Sequence, residues 1–319
     1  MKNILILSHD KDPHAITVGN ALKKKNIPFF YFITEDLPTS YNISFDSKYL
    51  NYTIENKDTT INLDGNWNIW NRRILDPKFP DGININLAEI IVGETRKTWE
   101  ALLESHKGRV ISKPSAINLA NNKLTQLEFV KRNTQEIYIP DTIVTNDPKK
   151  VKFFYETHCG NICFKLHRSN SVKFENEEYI VYTNKLKLED LLSIENVRAN
   201  PSMFQEYIDK EYELRITVIG NEVIPIAIHS QDSEISKVDF RRYDFDKVKY
   251  EYKKVPDDVS NLCLAITKHY GLNFGAFDFI KDKQGRYVFL ELNPNGQWLW
   301  LEQLSGYKIS EVLADYLIK

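Results

Sequence analysis

The strongest constraint in this chain is a pair of apolar runs, late in the sequence, that carry oxygen-bearing side chains among hydrophobic neighbours. One run reads Ala-Phe-Asp-Phe-Ile around Asp278; the other reads Phe-Leu-Glu-Leu-Asn-Pro-Asn-Gly and holds Glu291 and Asn293. Lys283-Gln284-Gly285 between them is a turn signal, so the runs predict a hairpin over 277–280 and 287–292. Residues two apart on a strand share a face, which puts Glu291 beside Asn293. The hairpin brings Asp278 alongside. A carboxylate buried without a partner is costly and either shifts its pKa or demands compensation. Two carboxylates and an amide oxygen form a hard donor set that suits Mg²⁺, with phosphates as further ligands. Read alone, the same acids would also suit a solvated surface hairpin. The rest of the chain decides between these.

At 319 residues the chain is too long for one typical core and suits two or three packed subdomains. A net charge of -2 gives no argument for nucleic-acid binding. Cys159, Cys163 and Cys263 are too few for a disulfide framework, and no zinc spacing surrounds them. The first apolar run, Ile4 to Leu7, is shorter than a signal peptide requires, and no segment reaches the roughly 20 apolar residues of a membrane span. The expected setting is the cytoplasm, with no membrane partner.

The run Ile4 to Leu7 predicts a buried parallel strand, 14–25 a helix and Phe29 to Ile33 a second strand. This opening suggests a small doubly wound α/β domain, without the glycine pattern of a dinucleotide site. Residues 41–70 alternate in polarity and predict antiparallel strands, with Asp64-Gly65 as a hairpin turn. A long amphipathic helix follows over 85–105, and a first boundary falls near 110. Helices are expected from Asn122 and over 148–157, with a strand at 142–145. Ile162–Leu166 and Tyr179–Thr183 predict a hairpin flanking a polar, glycine-free surface loop at 167–178. Strands at 204–208, 213–219 and 223–228, a helix over 257–270 and a last helix over 308–318 complete the pattern.

Other polar groups sit in strand-like runs. Lys165, in Ile-Cys-Phe-Lys-Leu, could hold phosphate as a point charge or snorkel to the surface. The segment Phe204 to Ile208 can offer backbone groups to an adenine edge as it leaves its strand. Glu213 could accept from ribose hydroxyls, and Arg215 could reach phosphate.

Taken in order, these motifs resemble the ATP-grasp superfamily over nearly the whole chain, most closely from Asn122 to Gln297. The resemblance implies an α/β (α+β) ATP-grasp fold: an N-terminal doubly wound domain at 1–110, a central subdomain with a phosphate lid at 111–200, and a C-terminal subdomain with the metal site at 201–319. It implies Lys123 and Lys165 as phosphate contacts, Gln205, Glu206, Tyr207 and Ile208 as the adenine hinge, and Glu213 as the ribose acid. Arg215 resembles the arginine of the ribosomal-protein-modifying branch. Asp278, Glu291 and Asn293 match the metal ligands, and the cofactors implied are ATP and Mg²⁺, as two ions. The lid departs from the pattern by having no glycine, although Ser169, Asn170 and Ser171 could cap phosphates.

A narrower resemblance is to the microviridin-type, or graspetide, peptide macrocyclases. Ile69-Trp70-Asn71-Arg72-Arg73 resembles their Trp-x-Arg-Arg element, Asp239-Phe240-Arg241-Arg242 their Asp-Trp-Arg element, and Glu291 to Trp298 their metal strand and loop. This implies that a side-chain carboxylate of a precursor peptide becomes an acyl phosphate, which a Thr or Ser hydroxyl or a Lys amine attacks to close an ω-ester or ω-amide ring. Lys165, Arg215 and Arg241 are the expected catalytic groups, with Arg241 on the reacting carboxylate. Arg72, Arg73, Arg241, Arg242 and Trp298 are candidates for binding the peptide and its leader segment. Arg72 and Arg73 could equally be ordinary salt-bridge residues. The resemblance is compatible with a homodimer, for which the sequence marks no interface. A ligase for free amino acids would share the nucleotide residues, and a non-catalytic nucleotide-binding module is a further alternative.

Overall fold

The computed structural model describes residues 2–79, 82–167, 171–174, 177–180, 182–242 and 244–319. The N-terminal part begins with β1 (Asn3–Ser8), α1 (Pro13–Lys24) and β2 (Phe29–Ile33). Asp12 caps α1 by accepting from the His14 N–H at 3.0 Å, and Pro13 fits the first helical turn, where no N–H partner is needed. Strands β3 (Asn42–Asp46), β4 (Asn51–Glu55) and β5 (Thr60–Leu63) form a separate antiparallel sheet, while β6 (Trp67–Asn71) pairs in parallel with β1. After α2 (Ala88–Ser105), the short β7 (Val110–Ile111) completes a parallel sheet ordered β2-β1-β6-β7.

The middle of the chain runs through α3 (Pro114–Ala120), α4 (Lys123–Asn133), β8 (Thr142–Thr145), α5 (Pro148–Thr157) and β9 (Ile162–Lys165). A hairpin of β10 (Ser171–Phe174) and β11 (Glu177–Ile180) follows, then β12 (Asn184–Lys185) and β13 (Ser202–Glu206). The order β12-β9-β13-β8 makes an antiparallel central sheet. The remainder supplies β14 (Lys210–Ile219), β15 (Glu222–Ile228), β16 (Tyr250–Tyr252), α6 (Asp257–His269), β17 (Phe274–Asp282), β18 (Tyr287–Asn293), α7 (Leu299–Ser305) and α8 (Ile309–Ile318). Its sheet is ordered β16-β15-β14-β17-β18, all antiparallel.

This five-stranded sheet is covered on both faces, which is why β15, β17 and β18 read as mostly apolar runs. Leu214, Ile216, Val218, Phe277 and Phe279 pack toward α6. Ile219, Ile226 and Phe274 belong to a second core, with Ile4 and Ile6 of β1 and Leu313 and Leu317 of α8. The N-terminal sheet and the five-stranded sheet thus share one hydrophobic core.

Three expectations are corrected. Residues 41–70 do not form one antiparallel set, because β6 leaves for the parallel sheet and Asp64-Gly65 is the corner between two sheets rather than a hairpin turn. Residues 162–166 and 179–183 do not pair with each other. Strand β9 pairs with β12, and the stretch expected as a loop holds β10 and the start of β11, which pair with each other as a separate hairpin. Ser169 and Asn170 lie outside the described residues, as does the side chain of Ser171. Finally, α7 has no counterpart in the sequence reading, since Leu-Trp-Leu at its start lacks helical spacing.

Candidate active site

A cleft opens between the central and five-stranded sheets, and strands from both present polar groups to it. Arg215 on β14, Asp278 on β17 and Glu291 on β18 lie in one row, paired Arg215↔Asp278 and Asp278↔Glu291. Cross-strand neighbours are close enough for their side chains to interact directly. Arg215 Nη1 donates to both oxygens of Asp278, at 2.7 and 2.8 Å. The register slips beside Asp278, so that Phe279 faces Phe289 and Leu290 is the extra residue of a bulge. Leu290 and Glu291 consequently both line the cleft, although they are consecutive.

Asn293 completes this end. Its amide nitrogen donates to Asp278 Oδ2 at 3.3 Å and to Glu291 Oε1 at 3.1 Å. Burial and the neighbouring charge of Glu291 push the Asp278 carboxyl up, against the opposing pull of Arg215. Burial also works against ionisation of Glu291, but Lys123, at 2.7 Å from Oε2, overcomes it and holds the carboxyl below its ordinary value. Two carboxylates pressed together in a row that is buried at Asp278 and half-buried at Glu291, with an amide whose half-turn would present oxygen, fit a hard divalent cation.

Lys123 reaches this row because Asn122 caps α4, accepting from the Leu124 and Thr125 N–H groups at 3.1 and 3.3 Å. Lys123 Nζ also donates to the Leu166 carbonyl at 3.2 Å. Lys165 points from β9 into the same space and donates to Gln205 Oε1 at 2.6 Å. The Gln205 amide in turn donates to Thr142 Oγ1 at 2.9 Å.

At the cleft's other end the chain leaves β13 through Glu206, Tyr207 and Ile208. The Glu206 N–H is taken by Asp141 O and the Tyr207 N–H by Asn161 O, each at 2.8 Å. No partner falls to the Ile208 N–H among the described residues, which leaves a backbone donor at the cleft wall. The Glu206 carboxylate turns away and accepts from Tyr138 Oη at 2.7 Å. It also stands close to Asp141 and His158, with ligand-capable atoms of all three within 4.8 Å, a grouping the sequence does not mark.

Glu213 is buried. Its Oε1 accepts from Lys210 Nζ at 2.6 Å, while Oε2 is buried with no hydrogen-bond partner among the described residues. Burial raises the Glu213 carboxyl and Lys210 opposes the rise. An unpaired buried carboxylate oxygen lining a cleft is what a ligand hydroxyl would satisfy.

Between β15 and β16 a long loop carries Phe240–Arg242 over the cleft. Arg241 Nε and Nη2 donate to the two oxygens of Asp239, at 2.8 and 2.5 Å. Asp239 is buried, and it also accepts from the Thr183 N–H at 2.9 Å. Arg241 is therefore a fixed guanidinium facing the Asp278 and Glu291 end.

Sequence reasoning missed Lys210 and Asp239, the partners that hold Glu213 and Arg241. Lys210 lies three residues before Glu213 on a strand that bulges there, and Asp239 was read only as a motif letter. The remaining candidates are elsewhere. Arg242 is exposed and donates to Asn184 Oδ1 at 2.8 Å. Arg73 is exposed, but Arg72 is buried on Asp12, and Trp298 is 1% exposed in the core, so neither Arg72 nor Trp298 lines the cleft.

The family model of the RimK-like ATP-grasp domain matches residues 120–317. The chain belongs to the RimK-like ATP-grasp family. The model of the MvdD pre-ATP grasp domain matches residues 3–118 of this ATP-grasp chain. Among solved structures, macrocyclase MdnC from Microcystis aeruginosa MRC, bound with precursor peptide MdnA, is 28% identical, with a TM-score of 0.85 over 99% of each chain. A RiPP-associated ATP-grasp ligase of Chryseobacterium gregarium, in complex with ADP and a leader and core peptide, is also 28% identical. Its TM-score is 0.90 over 100% of this chain and 97% of that one. The ATP-grasp ligase PsnB, at 21% identity and a TM-score of 0.78 over 100% and 98%, shares the fold. Among curated proteins, none matches by sequence.

Proposed function

We propose that this ATP-grasp protein is an ATP-dependent peptide macrocyclase. It activates Asp or Glu side chains of a precursor peptide and joins them to Thr, Ser or Lys side chains as ω-esters or ω-amides. The observation that carries the reading is the meeting, in one cleft, of a nucleotide-suited wall and a fixed Arg241 facing the acidic row. The likeness to MdnC and to the Chryseobacterium ligase, whose structures hold peptide, supports a peptide as substrate.

In this reading the Ile208 backbone meets the adenine edge and Glu213 Oε2 accepts a ribose hydroxyl. Lys123, Lys165 and Arg215 neutralise phosphate charge. Asp278, Glu291 and Asn293 would hold Mg²⁺, as two ions. When bound, the metal offsets charge on the β- and γ-phosphate oxygens. Arg241 orients the peptide carboxylate, whose oxygen attacks the γ-phosphorus as the bond to ADP breaks. The hydroxyl or amine then attacks the acyl carbon, and inorganic phosphate leaves as the nucleophile's proton is lost. Positioning and charge neutralisation supply most of the rate. The division at residues 110 and 200, a homodimer, and a cytoplasmic setting belong to the same proposal; among the described residues no helix is long and apolar enough to cross a membrane.

The test uses ATP, Mg²⁺ and peptides encoded by short neighbouring reading frames. Each ring formed should remove the mass of one water and release one ADP. Glu291→Ala should abolish ADP formation. Turnover with free amino acids but no peptide would overturn the macrocyclase reading, and wild-type ADP release by Glu291→Ala would remove the metal role.

A further inference from the structure

Strand β18 is the edge strand of its sheet, so the end carrying Glu291 and Asn293 has a neighbour on one side only. Metal ligands need to be held within about 0.5 Å of their productive positions, which an unsupported edge does not provide. The free side is held at separate points. Tyr138 exchanges backbone hydrogen bonds with Tyr287 and Phe289 at 2.9 Å each. Gln126 grips Leu292 by both its N–H and its carbonyl, at 2.7 and 2.9 Å. Beyond Asn293, the loop is held from the N-terminal domain.

There, Asp12 is the hub. Its Oδ2 accepts from Ser8 Oγ at 2.7 Å and from Arg72 Nε at 3.1 Å, and its Oδ1 faces His14 Nδ1 at 3.4 Å. Arg72 and Asn295 exchange hydrogen bonds: Arg72 Nη1 donates to the Asn295 carbonyl at 3.4 Å, and the Asn295 amide donates to the Arg72 carbonyl at 3.1 Å. His14 Nε2 accepts from both the Trp298 and Leu299 N–H groups, at 3.2 Å each. Its ring proton is therefore on Nδ1, toward Asp12. The grasped loop returns to the site, since the Gln297 carbonyl accepts from Arg215 Nη2 at 3.5 Å.

We infer that Asp12, His14 and Arg72 are positioning residues that clamp the loop 295–299 and thereby fix Asn293 and Arg215 at the cation site. The Trp-x-Arg-Arg element and the Asn-Gly-Gln-Trp loop are then the two halves of one clasp, rather than peptide-binding surfaces. The inference rests on the metal site proposed above.

Supporting groups around metal ligands typically alter metal affinity by about tenfold or more when removed. Arg72→Lys keeps a cation beside Asp12 but cannot also span to Asn295. Asn295→Ala alters an exposed side chain and leaves the core untouched. The readout is the rise in melting temperature that Mg²⁺ adds to ADP-bound protein, titrated in Mg²⁺ and compared with ADP in EDTA. Both variants should keep the ADP-only shift and need about tenfold more Mg²⁺ for half the added rise. Turnover should show the same displacement in its Mg²⁺ dependence, with the KM for ATP at saturating Mg²⁺ unchanged. A wild-type Mg²⁺ midpoint in folded Asn295→Ala, or in Arg72→Lys, overturns the clasp. Glu291→Ala separates the two ideas: if it too keeps the Mg²⁺ effect, the metal site itself is wrong.

Discussion

At the scale of single residues, the cleft is organised by pairs in which one member would be untenable alone. Glu213 is the clearest case, a buried carboxylate with Lys210 on one oxygen and no hydrogen-bond partner on the other among the described residues. Removing one partner of a buried pair typically costs about 3–5 kcal/mol, because the other charge is left uncompensated. Lys210→Met should therefore destabilise the fold by about 3 kcal/mol at neutral pH. The sign with pH follows from the raised Glu213 carboxyl. Below its ordinary range the group is protonated whether folded or unfolded, and the variant should approach wild-type stability. As pH rises, the unfolded chain ionises first and stability drains away until the folded-state carboxyl also ionises. Urea denaturation at pH 4 to 8 measures this, and a flat difference across the series would count against it. The residue types at Glu213, Asp278 and Glu291 were legible in the sequence because acids stand out within apolar runs. Lys210 and Asp239 were not, since nothing local tells a lysine paired with its neighbour from a solvated one.

Among the elements, legibility followed locality. Helix α1 announces itself by its Asp-Pro start and apolar spacing, β14 by the alternation of Leu214, Ile216 and Val218 with polar residues, and β17 by the apolar residues on either side of Asp278. Partner choice did not, because period-two alternation reports a face and not the strand beside it; hence β6 and β9 were paired wrongly. The Leu290 bulge was also invisible, although it turns two consecutive side chains into the cleft. The loop after β18 permits a sharper experiment. A Cβ on Gly296 would lie 2.5 Å from the Ala276 Cβ and 2.6 Å from Arg215 Nη2. Gly296→Ala should displace Arg215 from Asp278 or lift the loop, costing about 1–3 kcal/mol of stability and most of the ADP-forming activity. Denaturation and single-turnover ADP release test it together, and unchanged values in both would refute the close contact.

For the molecule as a whole, the decisive fact is the core shared by the N-terminal sheet, the five-stranded sheet and α8. Leu317, fully buried within it, should cost about 2–5 kcal/mol on truncation to alanine. Its loss should lower the midpoint of one transition reported alike by Trp70 of β6 and Trp298 before α7. Two separated transitions would mean the parts unfold independently. The layout has a further consequence for how such a catalyst diversifies. Glu213, Arg215, Asp278 and Glu291 sit on strands packed from both sides, where exchange disturbs a core, but Arg241 rides on the loop between β15 and β16, where Asp239 fixes it. Lineages can vary the length and wording of that loop while the ATP chemistry stays untouched. Libraries aimed at new ring sizes therefore belong in residues 231–249, with the Asp239–Arg241 anchor retained.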